Sequence, residues 1–214
     1  MLLPHRHLSE LGEPVDLPPM PSGVEWEGDI AFLDRDGVLN IGSEDYINGV
    51  SELDVFPESG QSVAKIRSAG FRVCIVTNQS PIGRGLWGHQ ILASVNSALQ
   101  KALLMQDPDA HLDLILYSPY APWEGAWSRK GSPGMLQAGR QLFDAAKEGI
   151  GVEHFDYGPD YTVRDEGRSF MVGDRRPDDE AGVAHGVRTF RCDGRTGLVD
   201  VLSRVLDDSD TGDY

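Results

Sequence analysis

The chain has little cysteine, few basic residues and no long apolar run, and each scarcity excludes a class of protein. Only two of the 214 residues are cysteines, and the sequence supplies no Cys/His zinc cluster. Cys74 and Cys192 each lie in an apolar, strand-like segment, which predicts buried free thiols rather than a disulfide, and a reducing cytoplasmic location. No apolar run approaches the ~20 residues that a membrane-spanning helix needs, so we expect no membrane partner.

Basic residues are outnumbered, because 19 Lys and Arg stand against 34 Asp and Glu, for a formal net charge of −15. Proteins that bind nucleic acid need clustered Lys and Arg against the phosphates, so this charge disfavours a nucleic-acid partner. The acidity itself indicates solubility or a high-salt host and identifies no partner. The hydrophobic share of 40% in 214 residues is enough for one α/β domain with a sizeable core.

Short apolar runs alternate with helical patterns, which is typical of a parallel sheet with crossover helices. The pattern predicts strands at 29–33, 71–76, 112–117, 169–172 and 187–191. It predicts helices at 57–69, 89–106, 133–147 and 196–206. We therefore expect one Rossmann-like α/β domain over 29–206, with an extended arm at 1–28 and a frayed tail at 207–214. The segment 149–168 fits neither period, and both a surface loop and a flap near the site remain open for it.

The stretch IAFLDRDGVLN, residues 30 to 40, places two carboxylates directly after a buried strand. Asp34 and Asp36 repel each other there, and Asn or Ser would serve a plain turn equally well. Alternation along an extended chain predicts that both carboxylates lie on one side and that Arg35 points away. Gly37 permits the backbone turn that follows.

Three more polar segments follow the later strands, at the edge where open parallel sheets bind ligands. They are TNQSPIGRG at 77–85, SRKGSPG at 128–134 and GDRRPDD at 173–179. Asp34 and Asp174 would repel each other at a shared edge unless a cation lay between them, and whether Asp178 joins them is left open. Oxygen ligands with open positions suit Mg²⁺. A metal, Lys130 and short polar donors around a carboxylate indicate phosphoryl transfer.

The chemistry explains the paired carboxylates. One carboxylate can attack phosphorus and form an aspartyl-phosphate, which divides one hard displacement into two easier ones. The second then protonates the leaving alkoxide and later activates water, so it has to stand close by. A solvated turn, the simpler interpretation, explains neither the pairing nor the other three segments.

The quoted segments, as FLDRDGVLN, VTNQSPIGRG, RKGSPGML and VGDRRPDD, resemble the haloacid dehalogenase-type phosphatases. They are most similar to the subgroup that contains the heptose-bisphosphate and histidinol-phosphate phosphatases, and the similarity runs from about residue 29 to about residue 192. The resemblance implies a haloacid dehalogenase-like fold with little or no cap domain, and an Mg²⁺-dependent phosphomonoesterase.

The resemblance also implies a role for each matching residue. Asp34 would be the nucleophile and Asp36 the general acid/base. Asp34, Asp174 and the backbone carbonyl of Asp36 would hold Mg²⁺. The residues implied to bind the transferring phosphate are Thr77 and Lys130. The residues implied to contact the rest of the substrate are Asn78, Arg84, Arg129 and Arg175.

One segment departs from the subgroup, which usually carries a zinc-binding Cys-x-His … Cys-x-Cys loop before the Arg-Lys pair. Here the stretch reads YSPYAPWEGAWSRKG, and the ligand positions carry Ser118, Tyr120, Ala126 and Ser128. We therefore expect no zinc. Trp123 and Trp127 either stabilise this loop by packing, which we favour, or line the substrate pocket.

The sequence thus predicts a cytoplasmic phosphatase of a small phosphorylated metabolite, and a sugar (heptose) phosphate or bisphosphate is the leading substrate. Three alternatives stay open. Histidinol phosphate would favour an acidic pocket. A nucleic-acid 3′-phosphatase would share the TNQSPIGRG segment but needs a basic track. A catalytically inert binding module would show no Mg²⁺-dependent hydrolysis of an aryl phosphate.

Overall fold

The predicted apolar runs form the strands of one central sheet. The computed structural model describes residues 2–214. The strands are β1 (His5–Arg6), β2 (Ile30–Leu33), β3 (Arg72–Asn78), β4 (Leu114–Ser118), β5 (Phe170–Gly173) and β6 (Arg188–Arg191). Every residue of β2, β4 and β5 is buried, which is typical of a parallel sheet that helices cover on both faces.

Five helices connect and cover these strands. They are α1 (Ser59–Ser68), α2 (His89–Gln106), α3 (Gly134–Lys147), α4 (Arg176–His185) and α5 (Leu202–Val205). Short 3₁₀ turns lie at Val50–Glu52, Pro122–Glu124 and Gly197–Asp200. The α/β fold is confirmed, and the described residues contain no large cap domain. Within 2–214, no helix combines the length and hydropathy that a bilayer crossing would require.

The strand order β1-β4-β3-β2-β5-β6 places β2 between β3 and β5. All neighbours from β4 to β6 are parallel, and only β1 runs antiparallel, to β4. Since the chain crosses from β2 to β3 on one side and later to β5 on the other, a crevice opens at the carboxyl ends of these three strands.

Residues of β2 alternate between two hydrophobic cores. Ala31 and Leu33 pack on the side of α1, α2 and α5, while Ile30 and Phe32 pack on the side of α3 and α4. The two cysteines follow this division: Cys192 lies in the first core and Cys74 in the second, and both are buried and unpaired, as predicted. The three-layer packing holds the strand ends, and thus the crevice, in place.

The N-terminal arm adds a strand that the sequence analysis did not predict. His5 and Arg6 pair with Tyr117 and Leu116 of β4 at the edge of the sheet. Farther along the arm, the Pro19 carbonyl accepts a hydrogen bond from the Arg67 guanidinium at 2.8 Å. A two-residue strand is too short to produce a hydrophobic period, which is why the pattern did not reveal it.

The C-terminal segments differ from two expectations. The helix expected at 196–206 is divided into the 3₁₀ turn Gly197–Asp200 and the short helix α5. The tail at 207–214 was expected to fray, but Asp213 N donates to Thr189 O of β6 at 2.8 Å. Arg204 also pairs with Asp213 at 2.7 Å. These polar contacts hold the tail against the sheet. The hydrophobic pattern of the sequence could not predict them, because they involve charged and backbone groups.

Candidate active site

Asp34 lies directly after β2, at the centre of the crevice. Its backbone N–H donates to Val172 O of β5 at 2.9 Å, so the sheet itself sets its position. Lys130 Nζ lies 2.6 Å from Asp34 Oδ1 and 2.7 Å from Asp178 Oδ1, and all three side chains are almost fully buried. Asp34, Lys130 and Asp178 are called the floor of the site below. One cation here lies between two carboxylates, away from water, and offsets only one of their two charges.

Burial shifts the ionisation of the floor. It raises the pKa of Asp34 to about 7, against the opposing effect of Lys130. Burial alone would lower the pKa of Lys130, but the charges of Asp178 and Asp34 outweigh burial and raise it. Lys130 is therefore charged at neutral pH, and a second cation beside Asp34 would favour the ionised carboxylate.

Asp36 is held by a different cation. The Arg35 guanidinium donates to both carboxylate oxygens of Asp36 at 2.9 to 3.1 Å, and Asn40 Nδ2 donates to one of them at 2.9 Å. Burial acts to raise the pKa of Asp36, but Arg35 and the amide donors bring it below its ordinary value. The expectation that Arg35 points away is wrong, because β2 ends at Leu33 and strict alternation ends with it.

Asp34, Asp174 and Asp178 each bring a carboxylate oxygen to within 4.8 Å of the others. Asp174 Oδ1 is buried and has no hydrogen-bond partner within residues 2–214. Gly37, at φ +82°, lies so close that a Cβ there would clash with the Asp174 carboxylate. A buried oxygen without a donor suits a hard divalent cation, so this donor set fits Mg²⁺.

A cavity of about 260 Å³ opens above the floor. The predicted site residues that line it are Asp34, Asp36, Thr77, Asn78, Arg84, Arg129, Lys130 and Arg175. Asp174 belongs to the acidic cluster beside it. Four stretches that are far apart in the sequence therefore meet at one site, as expected from their positions at strand ends.

The two polar residues at the end of β3 have partners within the site. Asn78 Oδ1 accepts a hydrogen bond from Lys130 N at 2.9 Å, and Asn78 Nδ2 donates to Lys130 O at 3.4 Å. Thr77 Oγ1 accepts a hydrogen bond from Gln79 Nε2 at 2.9 Å. Asn78 thus fixes the backbone of Lys130, a contact that the sequence did not predict.

Arginines surround the outer end of the cavity, called the mouth below. The Arg175 side chain is 60% exposed, with its Nε 3.6 Å from Asp174 Oδ2. Arg129 donates to the Tyr120 carbonyl at 3.2 Å, and burial together with nearby Arg84 lowers its pKa from the usual arginine value. The mouth therefore carries positive charge in contact with solvent.

The loop between β4 and α3 is closed by polar contacts. Ser118 Oγ lies 3.3 Å from Ser128 Oγ, and Trp127 Nε1 donates to Gln137 Oε1 at 2.9 Å. Trp127 is half-buried, in agreement with a packing role. Trp123 is 70% exposed, and its ring lies against the Arg84 guanidinium. It is neither buried within the loop nor part of the cavity lining.

No family model matches the chain. Among curated proteins, it is 37% identical over 108 residues to a D-glycero-β-D-manno-heptose-1,7-bisphosphate 7-phosphatase from Pseudomonas aeruginosa, covering 50% of the chain and 60% of that relative. It is 31% identical over 159 residues to the protein of the same name from Pseudomonas putida, covering 74% of the chain and 79% of the relative. The chain belongs to the heptose-bisphosphate phosphatase family.

Solved structures support this membership. A D,D-heptose 1,7-bisphosphate phosphatase from Bordetella bronchiseptica, complexed with magnesium and phosphate, superposes with a TM-score of 0.62 at 26% identity, over 80% of this chain and 86% of the other. A HAD-like phosphatase from Mesorhizobium loti superposes with a TM-score of 0.64 at 25% identity, over 94% and 96% of the two chains. The protein is thus a haloacid dehalogenase-type phosphatase.

Sequence analysis missed part of the lining of this phosphatase site. The loop after β2 contributes Ser43, Glu44, Tyr46 and Ile47. Tyr46 has a left-handed φ of +66°, a conformation that sequence patterns do not reveal in a tyrosine. Gln79 and Ser80 also line the cavity. Their position inside the TNQSPIGRG segment could have identified them as site residues.

The segment 149–168 packs on α3 and contributes no residue to the lining of this cavity. Its backbone N–H groups at Asp156 and Gly158 donate to Gln141 Oε1 and Gln137 Oε1, at 2.8 and 3.1 Å. Of the two interpretations left open, these contacts favour a surface loop over a flap.

Proposed function

We propose that this phosphatase hydrolyses one phosphate ester of a sugar bisphosphate, with a D-glycero-D-manno-heptose 1,7-bisphosphate as substrate. The observation that carries the proposal is the arrangement of charge in one cavity. A lysine and a carboxylate nucleophile lie at the floor, and arginines lie at the mouth. A substrate with an anionic group at each end matches both. The names of the family relatives agree with this choice.

Asp34 acts as the nucleophile in this proposal. Its oxygen forms a bond to phosphorus while the bond to the sugar oxygen breaks, and Asp36 gives its proton to that leaving oxygen. Asp36 then takes a proton from water, whose oxygen attacks the aspartyl-phosphate to release phosphate and restore Asp34. A phosphate dianion bound beside Asp36 opposes the effect of Arg35 and favours the protonated acid that the first step needs.

The transferring phosphate is placed against Lys130 and the Thr77 hydroxyl, as the sequence resemblance implies. Asp34, Asp174 and Asp178, together with the backbone carbonyl of Asp36, would hold Mg²⁺. When bound, the ion neutralises charge on the phosphate oxygens. Asp178 would serve both the ion and Lys130, which lies 2.7 Å from it.

Two cations at the mouth favour a second anionic group over the amine of histidinol phosphate. Arg84 and Arg129 both line the cavity, and an arginine guanidinium carries its charge at neutral pH. Glu44 adds one carboxylate to the lining of the same cavity, against these two guanidinium groups. The net charge of −15 remains unfavourable for a nucleic-acid 3′-phosphate.

We further propose that the loop between β4 and α3 works without zinc and that the enzyme is cytoplasmic. The positions Ser118, Tyr120, Ala126 and Ser128 supply neither thiolate nor imidazole. The two serines contact each other instead. Two buried, unpaired cysteines agree with a reducing compartment.

The test compares Mg²⁺-dependent phosphate release from heptose 1,7-bisphosphate, histidinol phosphate and 4-nitrophenyl phosphate. We expect the highest kcat/KM for the bisphosphate and release of a single phosphate per molecule. A higher kcat/KM for histidinol phosphate would overturn the substrate assignment. Absence of Mg²⁺-dependent release from all three would contradict the assignment of the site.

A further inference from the structure

An exposed tryptophan lies against a charged side chain of the mouth. Trp123 belongs to the short turn Pro122–Glu124 after β4, and 70% of it is exposed. The Arg84 guanidinium carbon lies 4.9 Å from the centroid of its ring, over the ring face. A cation at this distance is attracted by the π-electrons of the indole.

The loops that carry these two residues are held together directly beside them. Gly83 N donates to Pro119 O at 2.8 Å. The approach is so close that a Cβ at Gly83 would lie 2.8 Å from Glu124 Oε2. Glu124 Oε2 in turn accepts a hydrogen bond from Ala121 N at 2.6 Å, which stabilises the turn that presents Trp123. The contact of Arg84 with the ring therefore rests on a packed junction between two loops.

Arg84 has no carboxylate partner among the described residues, and neither does Arg129, the cation beside it. The ion pairs among the described residues include Arg175 but not Arg84. Nearby Arg129 carries the same charge and repels it. Stacking occupies only the face of a guanidinium and leaves the N–H groups in its plane free for an anion.

We propose that Trp123 is a positioning residue, whose indole face holds the Arg84 guanidinium at the mouth so that Arg84 binds the second anionic group of a sugar bisphosphate. This inference rests on the proposed function. Without the ring, Arg84 would be free to turn into solvent, away from the repelling Arg129. Trp123 itself need not touch the substrate, because it acts through Arg84.

A double-mutant cycle tests this role. In Trp123→Ala, we expect KM for heptose 1,7-bisphosphate to rise about two- to fivefold, the range of an exposed cation–π contact, with kcat unchanged. In Arg84→Ala we expect a larger rise, about tenfold or more, because a charge-assisted contact is lost. In the double variant KM should equal that of Arg84→Ala, since Trp123 has no other route to the substrate.

Two controls separate positioning from general damage. Trp123→Phe keeps an aromatic face and should restore KM to within about twofold of the wild type. Met105→Ala removes another exposed apolar side chain, near the end of α2, and should leave KM unchanged. Neither Trp123→Ala nor Met105→Ala should alter KM for 4-nitrophenyl phosphate, which has no second anionic group. Additive effects in the double variant, or an equal loss with 4-nitrophenyl phosphate, would overturn the role of Trp123.

Competitive inhibition separates a failure of this inference from a failure of the substrate assignment. If the wild type hydrolyses 4-nitrophenyl phosphate but not heptose 1,7-bisphosphate, the substrate assignment fails alone. Fructose 1,6-bisphosphate then serves as an inhibitor of 4-nitrophenyl phosphate hydrolysis. A Ki that rises two- to fivefold in Trp123→Ala supports the positioning role. An unchanged Ki, or no inhibition of the wild type, overturns it.

Discussion

The floor and the mouth of the cavity differ in how their charged side chains are exposed: those at the floor are buried, and those at the mouth contact solvent. At the floor, Lys130 lies within 2.7 Å of two carboxylates, and the Lys130 side chain is 2% exposed. At the mouth, the Arg175 side chain is 60% exposed and its ion pair with Asp174 is as long as 3.6 Å. Charges buried in contact interact strongly and have one arrangement, whereas solvated charges interact weakly and can move.

This difference assigns different tasks to the two ends. Phosphoryl transfer needs preorganised charge, because most of the rate comes from positioning and charge neutralisation. Recognition of the distant part of a substrate tolerates mobility and contributes mainly to binding. We therefore expect substitutions at the floor to lower kcat and substitutions at the mouth to raise KM. The predictions below test this division.

The largest effect should come from Asp34→Asn. Loss of the nucleophile should lower kcat for 4-nitrophenyl phosphate by about 10⁴-fold or more. The fold should remain, since Lys130 keeps Asp178 as its partner and the Asp34 backbone keeps its place beside β5. Steady-state kinetics and thermal unfolding check the two parts. Retained turnover in a correctly folded variant would contradict the assignment of Asp34.

Gly37→Ala should act on the floor through Asp174. The new Cβ would push against the Asp174 carboxylate, and a displacement of about 1 Å can cost about 10²-fold in kcat. Gly149→Ala is the matched control, because Gly149 has a similar φ of +68° but nothing within 4 Å of its Cβ. Both variants should lose about 1–2 kcal/mol of unfolding free energy from the φ strain, but only Gly37→Ala should lose activity. Equal kcat in the two variants would argue against the close fit around Asp174.

Asp174→Asn should raise the Mg²⁺ concentration for half-maximal activity. Asp174 Oδ1 lacks a hydrogen-bond donor within 2–214, so its charge is available for the ion. Loss of a residue that only supports a metal ligand already weakens metal binding by about 10–100-fold. We therefore expect the Mg²⁺ concentration for half-maximal activity to rise by at least this factor. Asp179→Asn is the control, since Asp179 pairs with Arg191 and lies outside the acidic cluster. A Mg²⁺ titration that gives one midpoint for both variants would remove Asp174 from the metal site.

The smallest effect should come from Arg175→Ala at the mouth. An exposed ion pair contributes about 0.2–1 kcal/mol, so KM for the bisphosphate should rise no more than about fivefold and kcat should stay unchanged. Initial-rate kinetics over a range of substrate concentrations separate the two constants. A fall in kcat as large as that of a floor substitution would contradict the claim that the mouth contributes only to substrate binding.

The floor was largely predictable from the sequence, because strand ends in a parallel sheet converge at one edge. Asp34 and Lys130 of the floor, and Asp174 beside it, each follow an apolar run or belong to a polar segment after one. The position of Asp178 was left open, and α4 places its carboxylate beside Lys130. Asp178 Oδ2 accepts a hydrogen bond from Arg175 N at 3.0 Å at the start of this helix, which turns the carboxylate toward Lys130.

The mouth was less predictable, because its residues are placed by contacts between loops. Trp123 lies over Arg84 only because Gly83 brings two loops together, and neither loop has a hydrophobic period. The direction of the Arg35 side chain was predicted wrongly for a related reason. Strand alternation ends at Leu33, and the Arg35 guanidinium donates a hydrogen bond to the Asp36 carboxylate. Hydrophobic patterns in the sequence predict which residues lie at the edge of a sheet, but they do not predict how irregular loops pack on one another.

Trapping of the phosphorylated protein tests the central claim most directly. In Asp36→Asn, 4-nitrophenyl phosphate should still react, because nitrophenolate leaves without a proton, but water attack on the aspartyl-phosphate should be slow. After rapid mixing with Mg²⁺ and substrate, the account predicts a burst of one nitrophenolate per protein and one phosphoryl group on the peptide that contains Asp34, detected by mass spectrometry. A phosphoryl group on another residue, or a variant with no burst, would contradict it.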